Sequence, residues 1–334
     1  MLNPDLVRVT GPLSPFREGF DAWLETAGYS GRMRAVHLRL MADLSRWLGE
    51  RGETSADCGA PWVLFTLVAT MVDAGTQSVQ IYARRSDGSD GHVVSLPVSP
   101  ATNPSVSPDG TELLYSNGSL SQLFVYRFAD RSNQPLVTQG GVGHGSISPD
   151  GRTVVFGDGQ NLHLVGVDTD SGAERSLLAE PMGNAAGYPV FTQDSSTVVF
   201  GANQVVQSIA VDGSHLETLL TQSDMFPNVT LSPDYTQLAA VVECGAGSFE
   251  LRVYDFASLP APCEAGRVVT TVPSSAYYYS PSWGPAGQIA YADRQDVFVV
   301  SALGGTPRVL TSDLTGPMSP AFDPSWAPAC AAVP

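Results

Sequence analysis

The chain has 334 residues, enough to bury a large core and to hold more than one domain. Its formal net charge of −16 argues against a general nucleic-acid-binding surface, which needs a basic face. The charge is uneven: residues 1–52 carry seven arginines against six acids, residues 53–334 carry ten against 27, and lysine is absent.

Met1 to Arg8 lacks the charged and apolar regions of a signal peptide, so the chain as written is expected to be cytoplasmic. Residues 13–52 read as two helices. Ser14 is placed to cap the first, with Pro15 at its first position, and Phe16, Phe20, Trp23, Leu24 and Ala27 follow helical spacing up to Gly28. Ser30 caps the second, which carries Val36, Leu40, Met41, Leu44, Trp47 and Leu48 on one face. The runs Gly11-Pro12-Leu13-Ser14-Pro15-Phe16, Gly19 to Leu24, Gly28-Tyr29-Ser30 and Leu40 to Leu48 resemble the N-terminal core-binding domain of tyrosine recombinases (phage integrases). That resemblance covers half of such a domain and none of its catalytic part, so it implies DNA contact but no recombinase chemistry. Ser30, Arg32, Arg34 and Arg39 are the candidate DNA contacts; the alternative is the solvated face of an amphipathic helix.

Residues 53–60 read as a linker, after which helical periodicity gives way to strands and turns. The apolar stretch Pro61 to Val72 is too short to span a bilayer and reads as a strand. From there a turn motif returns about every 40 residues, and seven residues after its proline stands a large apolar or aromatic residue. Ser107-Pro108-Asp109-Gly110 leads to Tyr115, Ser148-Pro149-Asp150-Gly151 to Phe156, Thr192-Gln193-Asp194-Ser195 to Phe200, and Ser232-Pro233-Asp234-Tyr235 to Ala240. Gly284-Pro285-Ala286-Gly287 precedes Tyr291, and a last copy is read at Phe322-Asp323-Pro324-Ser325. Four short strand-like runs per repeat describe one propeller blade. The start of the array lacks a first strand and the end, Ser319 to Phe322, supplies one. Pairing them over residues 61–330 predicts a mainly β chain: a six-bladed propeller behind a short helical segment. The cysteines fall into two pairs, Cys244 with Cys263 in the fifth repeat and Cys58 with Cys330 flanking the array, and both disulfides and inert buried thiols stay open. A Cys58–Cys330 bond would staple the closure.

Pro104-Ser105-Val106-Ser107-Pro108-Asp109-Gly110, with Pro281-Ser282-Trp283-Gly284-Pro285 and Ile81 to Gly88, resembles the repeat of TolB-like propellers over about residues 60–326. The resemblance implies the fold and, as an alternative location, the periplasm or cell exterior.

No catalytic constellation emerges. The five histidines have no metal-ligand spacing, Gly140 to Gly145 is not followed by a helix, and Asp168-Thr169-Asp170 lacks the glutamate of a calcium loop. No enzyme activity, metal or cofactor is expected. The connections between blades carry His144, Tyr188, Met225, Phe226, Tyr277 and Tyr278 around one channel mouth, and these are the candidate partner-binding face for a protein or peptide. The alternative is that they only pack the entries of the inner strands. The expected function is a non-catalytic protein-binding scaffold, with DNA association through residues 1–52 as the second reading.

Overall fold

A computed structural model describes residues 17–50, 59–70, 77–117, 122–137, 143–158, 160–167, 174–180, 187–222, 228–245, 248–272, 280–293, 295–314, 320–328, 331 and 333. The chain divides into two compact units, residues 1–59 and 60–334. In the first, helices α1 (Arg17–Thr26) and α2 (Gly31–Glu50) pack together and are joined through Gly28, whose φ of +82° suits a helix stop. Ser30 Oγ accepts the Met33 N–H at 3.4 Å, the bond of an N-cap. The packed face differs from the one the spacing predicts. Leu24, Ala35 and Leu38 are buried, with Phe20 and Met41 packed against them. Trp23, Val36 and Leu40 are exposed instead, because small Ala35 lets the helices meet on its side.

The second unit is six four-stranded antiparallel sheets. Blade 1 is composite: β24 (Ala321–Ala327) pairs with β1 (Trp62–Thr70), followed by β2 (Gln77–Arg85) and β3 (Gly91–Val93). Blade 2 is β4 (Thr102–Val106) to β7 (Asn133–Val137), and blade 3 is β8 (Gly145–Ile147) to β11 (Arg175–Ser176). Blade 4 runs from β12 (Gly187–Phe191) to β15 (Glu217–Thr221), blade 5 from β16 (Val229–Leu231) to β19 (Arg267–Val272), and blade 6 from β20 (Ser282–Trp283) to β23 (Arg308–Val309).

The second strand of each blade is buried on both faces, which is why it reads as an unbroken apolar run rather than an alternating one. Leu113-Leu114-Tyr115, Val154-Val155-Phe156 and Val198-Val199-Phe200 are almost wholly buried. The core therefore lies between blades. Val63, Phe65 and Leu67 of blade 1 meet Ala290, Val297 and Val299 of blade 6 across the seam that closes the ring. Outer strands such as β11 and β23 are two residues long and exposed, which leaves little edge for another chain to extend.

Candidate functional site

The turns that end the inner strands share one hydrogen-bonded device. In blade 2, Ser107 Oγ donates to Asp109 Oδ1 at 2.6 Å and accepts the Glu112 N–H at 2.9 Å, while the same Asp109 oxygen accepts the Thr111 N–H at 3.1 Å. Blade 3 repeats this with Ser148, Asp150, Thr153 and Arg152, and blade 5 with Ser232, Asp234, Gln237 and Thr236. Blade 4 has neither the proline nor the glycine, yet Thr192 donates to Asp194 at 2.7 Å and accepts the Thr197 N–H at 3.2 Å. The working unit is thus a hydroxyl and, two residues on, an aspartate. The Ser148 hydroxyl bond and the Arg152 N–H hold Asp150 below the usual carboxylate pKa. In blade 6 the hydroxyl position is Gly284, where an added Cβ would lie 2.2 Å from the Trp326 ring.

These turns fix one end of the inner strands, which line a central cavity of about 500 Å³. At one level of the channel stand Asn103, His144, Tyr188, Ser280 and Asp323; two residues further along each strand come Ser105, Ser146, Val190, Ser282 and Ser325, with Thr230 from blade 5. The cavity continues to Pro108, Pro233, Pro285 and Pro328, which are exposed at the turns, and to half-buried Pro149.

Three residues of the first level adopt left-handed backbone: Asn103 (φ +54°), Tyr188 (φ +51°) and Asp323 (φ +56°). Each sits where the pairing of its inner strand slips, between Thr102 and Ser105, Gly187 and Val190, or Phe322 and Ser325. A bulge of this kind re-aims a side chain, here toward the channel, and each bulged residue precedes a proline that needs no N–H partner.

The consequence is a polar group that crosses the channel. Tyr188 of blade 4 donates its hydroxyl to Asp323 Oδ1 of blade 1 at 3.0 Å, and Ser280 of blade 6 donates to the same oxygen at 2.9 Å. The His144 ring stacks on Tyr188 with centroids 3.6 Å apart, and its Nε2 lies 3.6 Å from Asp323 Oδ1. Burial pushes the His144 pKa down, against the pull of Asp323, so the imidazole is neutral at pH 7. Asp323 itself is 4% exposed. The seryl hydroxyl is spent on the carboxylate and not held by the imidazole, so the trio is no nucleophile relay. Among the described residues no group of three His, Cys, Asp or Glu side chains could hold a metal.

Of the six residues expected at the partner face, His144 and Tyr188 line the cavity at its Asp323 end. Met225, Phe226, Tyr277 and Tyr278 lie outside the described residues, as do Cys58 and Cys330. Cys244 and Cys263 form a disulfide packed into the core between blades 4 and 5. In the helical unit Arg34 is not free for a phosphate: its guanidinium binds Asp21 at 2.7 Å and Glu25 at 2.7 Å. The Asp21 bond holds its pKa well above the ordinary value, Ser30 is occupied as a cap, and Arg32 and Arg39 are exposed.

Asp323 is the residue that sequence reasoning placed wrongly. Phe322-Asp323-Pro324-Ser325 is not a turn but the middle of β24. The true counterpart of Pro104-Ser105-Val106-Ser107-Pro108 is Pro324-Ser325-Trp326-Ala327-Pro328, four residues later, and its spacing was the available signal. In that alignment Asp323 takes the place of Asn103, the channel residue.

No protein-family model matches the chain. A stretch of 126 residues, 36% of the chain, is 29% identical to the Tol-Pal system protein TolB of Anaeromyxobacter dehalogenans strain 2CP-C. That stretch spans only 29% of the relative's own length. Among solved structures, TolB from Acinetobacter baumannii superposes with a TM-score of 0.65 at 17% identity, over 90% of this chain and 74% of that one. A chain of a nidogen/laminin complex reaches a TM-score of 0.62 at 12% identity, over 80% of this chain and 99% of that one. No helix among the described residues is long and apolar enough to cross a membrane. By its sheets the second unit is a six-bladed β-propeller, similar in fold and over part of its sequence to TolB.

Proposed function

We propose that this protein is a non-catalytic propeller that binds a polypeptide segment in its central channel. The observation that carries this reading is the cavity itself: all six inner strands line it, one end is crossed by the Tyr188–Asp323 bond, and the other reaches exposed prolines. A concave site walled by rigid strands, with apolar walls and a few placed polar groups, suits a bound segment better than bond-breaking chemistry. Of the candidate face, His144 and Tyr188 would then be the inner end of the same channel. The binding of a protein partner is in keeping with the TolB and nidogen/laminin likenesses, which by themselves speak to fold.

DNA association through residues 1–52 has no support, and the pairing of Arg34 with two carboxylates counts against one of its four contacts. The Cys244–Cys263 disulfide and the TolB likeness favour an oxidising location, periplasmic or extracellular, over the cytoplasm.

Selecting peptides from a random library on the full chain tests the reading. Ser105→Trp fills the channel without touching the turns or outer strands. Selected peptides are expected to lose binding to that variant; binding indifferent to it would contradict channel recognition.

A further inference from the structure

The cavity ends on a buried carboxyl group, Asp323, that no arginine among the described residues pairs with. Among the described residues Asp323 is the only acidic side chain lining the channel and no arginine lines it, and the chain has no lysine. The one basic group beside it is His144 at 3.6 Å, which burial keeps neutral. Tyr188 and Ser280 both donate to Oδ1, and among the described residues Oδ2 receives no hydrogen bond. Neutral hydroxyls temper a buried carboxylate but do not replace a cation.

A second group in the same wall is also unmet. Ser146 Oγ is buried, lines the cavity and has no partner among the described residues. Its counterparts on neighbouring blades are used differently: Ser325 Oγ accepts the Val106 N–H and Thr230 Oγ1 accepts the Trp283 N–H, which tie one blade to the next. A hydroxyl and a carboxylate oxygen together ask for a ligand group with several N–H donors and a positive charge. The stacked rings of His144 and Tyr188 add an aromatic surface beside it.

We propose that the channel takes a basic side chain, arginine or lysine, of a polypeptide partner, with its cation seated at Asp323. This rests on the peptide-binding reading above and narrows it to the chemistry of one side chain. The aliphatic stem lies against Val190 at the level of the hydroxyls, so the partner's backbone enters the channel past the turn prolines. An excess of acidic residues over residues 53–334 draws a basic segment toward the propeller from a distance.

The test is titration of the full chain with N-acetyl-arginine amide, N-acetyl-lysine amide and the neutral isostere N-acetyl-citrulline amide, followed by nuclear magnetic resonance. Saturable binding of a basic probe is expected, with citrulline at least about tenfold weaker. Asp323→Asn, which tolerates the left-handed backbone, is expected to lose at least about tenfold while its thermal melt stays cooperative. Should that variant not fold, Ser105→Trp retains Asp323 and blocks the route, and undiminished binding to it overturns the proposal. Equal binding of citrulline and arginine, full binding by a folded Asp323→Asn, or no saturable binding to the native chain would each overturn it too. An arginine-centred pentapeptide binding no tighter than methylguanidinium would overturn the polypeptide as the source of the cation. Library peptides that need the open channel but carry no basic residue would sink this proposal and leave peptide binding standing. Binding unaffected by Ser105→Trp would sink both.

Discussion

At the scale of single residues, the channel depends on side chains that no short motif marks. Asp323, His144, Tyr188 and Ser280 are drawn from four blades, and only closure of the ring brings them together. Aromatic character made Tyr188 legible in the sequence, whereas Asp323 was hidden by an Asp-Pro pair that imitates a turn. The neutral state of His144 has a measurable sign. Its folded pKa lies below 6.5, so the unfolded chain binds the extra proton first, and the groups facing it are Asp323 and Tyr188. Its contribution to stability is complete above pH 6.5 and is lost as pH falls through that value toward the depressed one. Urea unfolding at stepped pH is expected to show native stability declining below pH 6.5, with a shallower decline in His144→Gln. Equal slopes would mean that His144 is not held neutral by burial.

At the scale of elements, the turn is more robust than its sequence pattern. Blade 4 keeps the hydroxyl–aspartate pair of Thr192 and Asp194 without proline or glycine, and Ser195 takes the left-handed position at φ +58°. Asp109→Ala is expected to cost about 1–3 kcal/mol in chemical denaturation, since Asp109 accepts from both Ser107 and Thr111. Pro108→Ala should cost less, because the proline only presets φ. Gly284→Ser would return the hydroxyl of the motif, though Ala286 holds the place of its aspartate, and would drive a Cβ into Trp326, so destabilisation is expected. The helical pair teaches the same lesson in reverse. Its apolar spacing admits more than one packed face, and Ala35 with the Arg34 ion pairs selected the one that leaves Leu40 63% exposed.

At the scale of the whole molecule, the blade count was legible because each second strand is buried on both faces and so announces itself as an apolar run. No family model supports the helical segment's likeness to a recombinase domain, and half a domain offers too little pattern to settle a fold. Two covalent and packing features hold the ring. The Cys244–Cys263 bond closes a loop with a sequence separation of 19, and replacing both cysteines by serine is expected to cost about 3 kcal/mol. Trp326 packs across the closing seam and its Nε1 donates to the Ser282 carbonyl at 2.8 Å. Trp326→Ala is expected to cost about 3–5 kcal/mol and to raise amide exchange in β24 and β1 ahead of the other blades.

The central claim is that the channel running from the turn prolines to Asp323 is where a partner binds. A crystal structure of the full chain with a library-selected peptide addresses it directly. Peptide density inside the channel, reaching toward Tyr188 and Asp323, is the result this account predicts; density confined to the outer strands or the helical unit, with the channel empty, would contradict it.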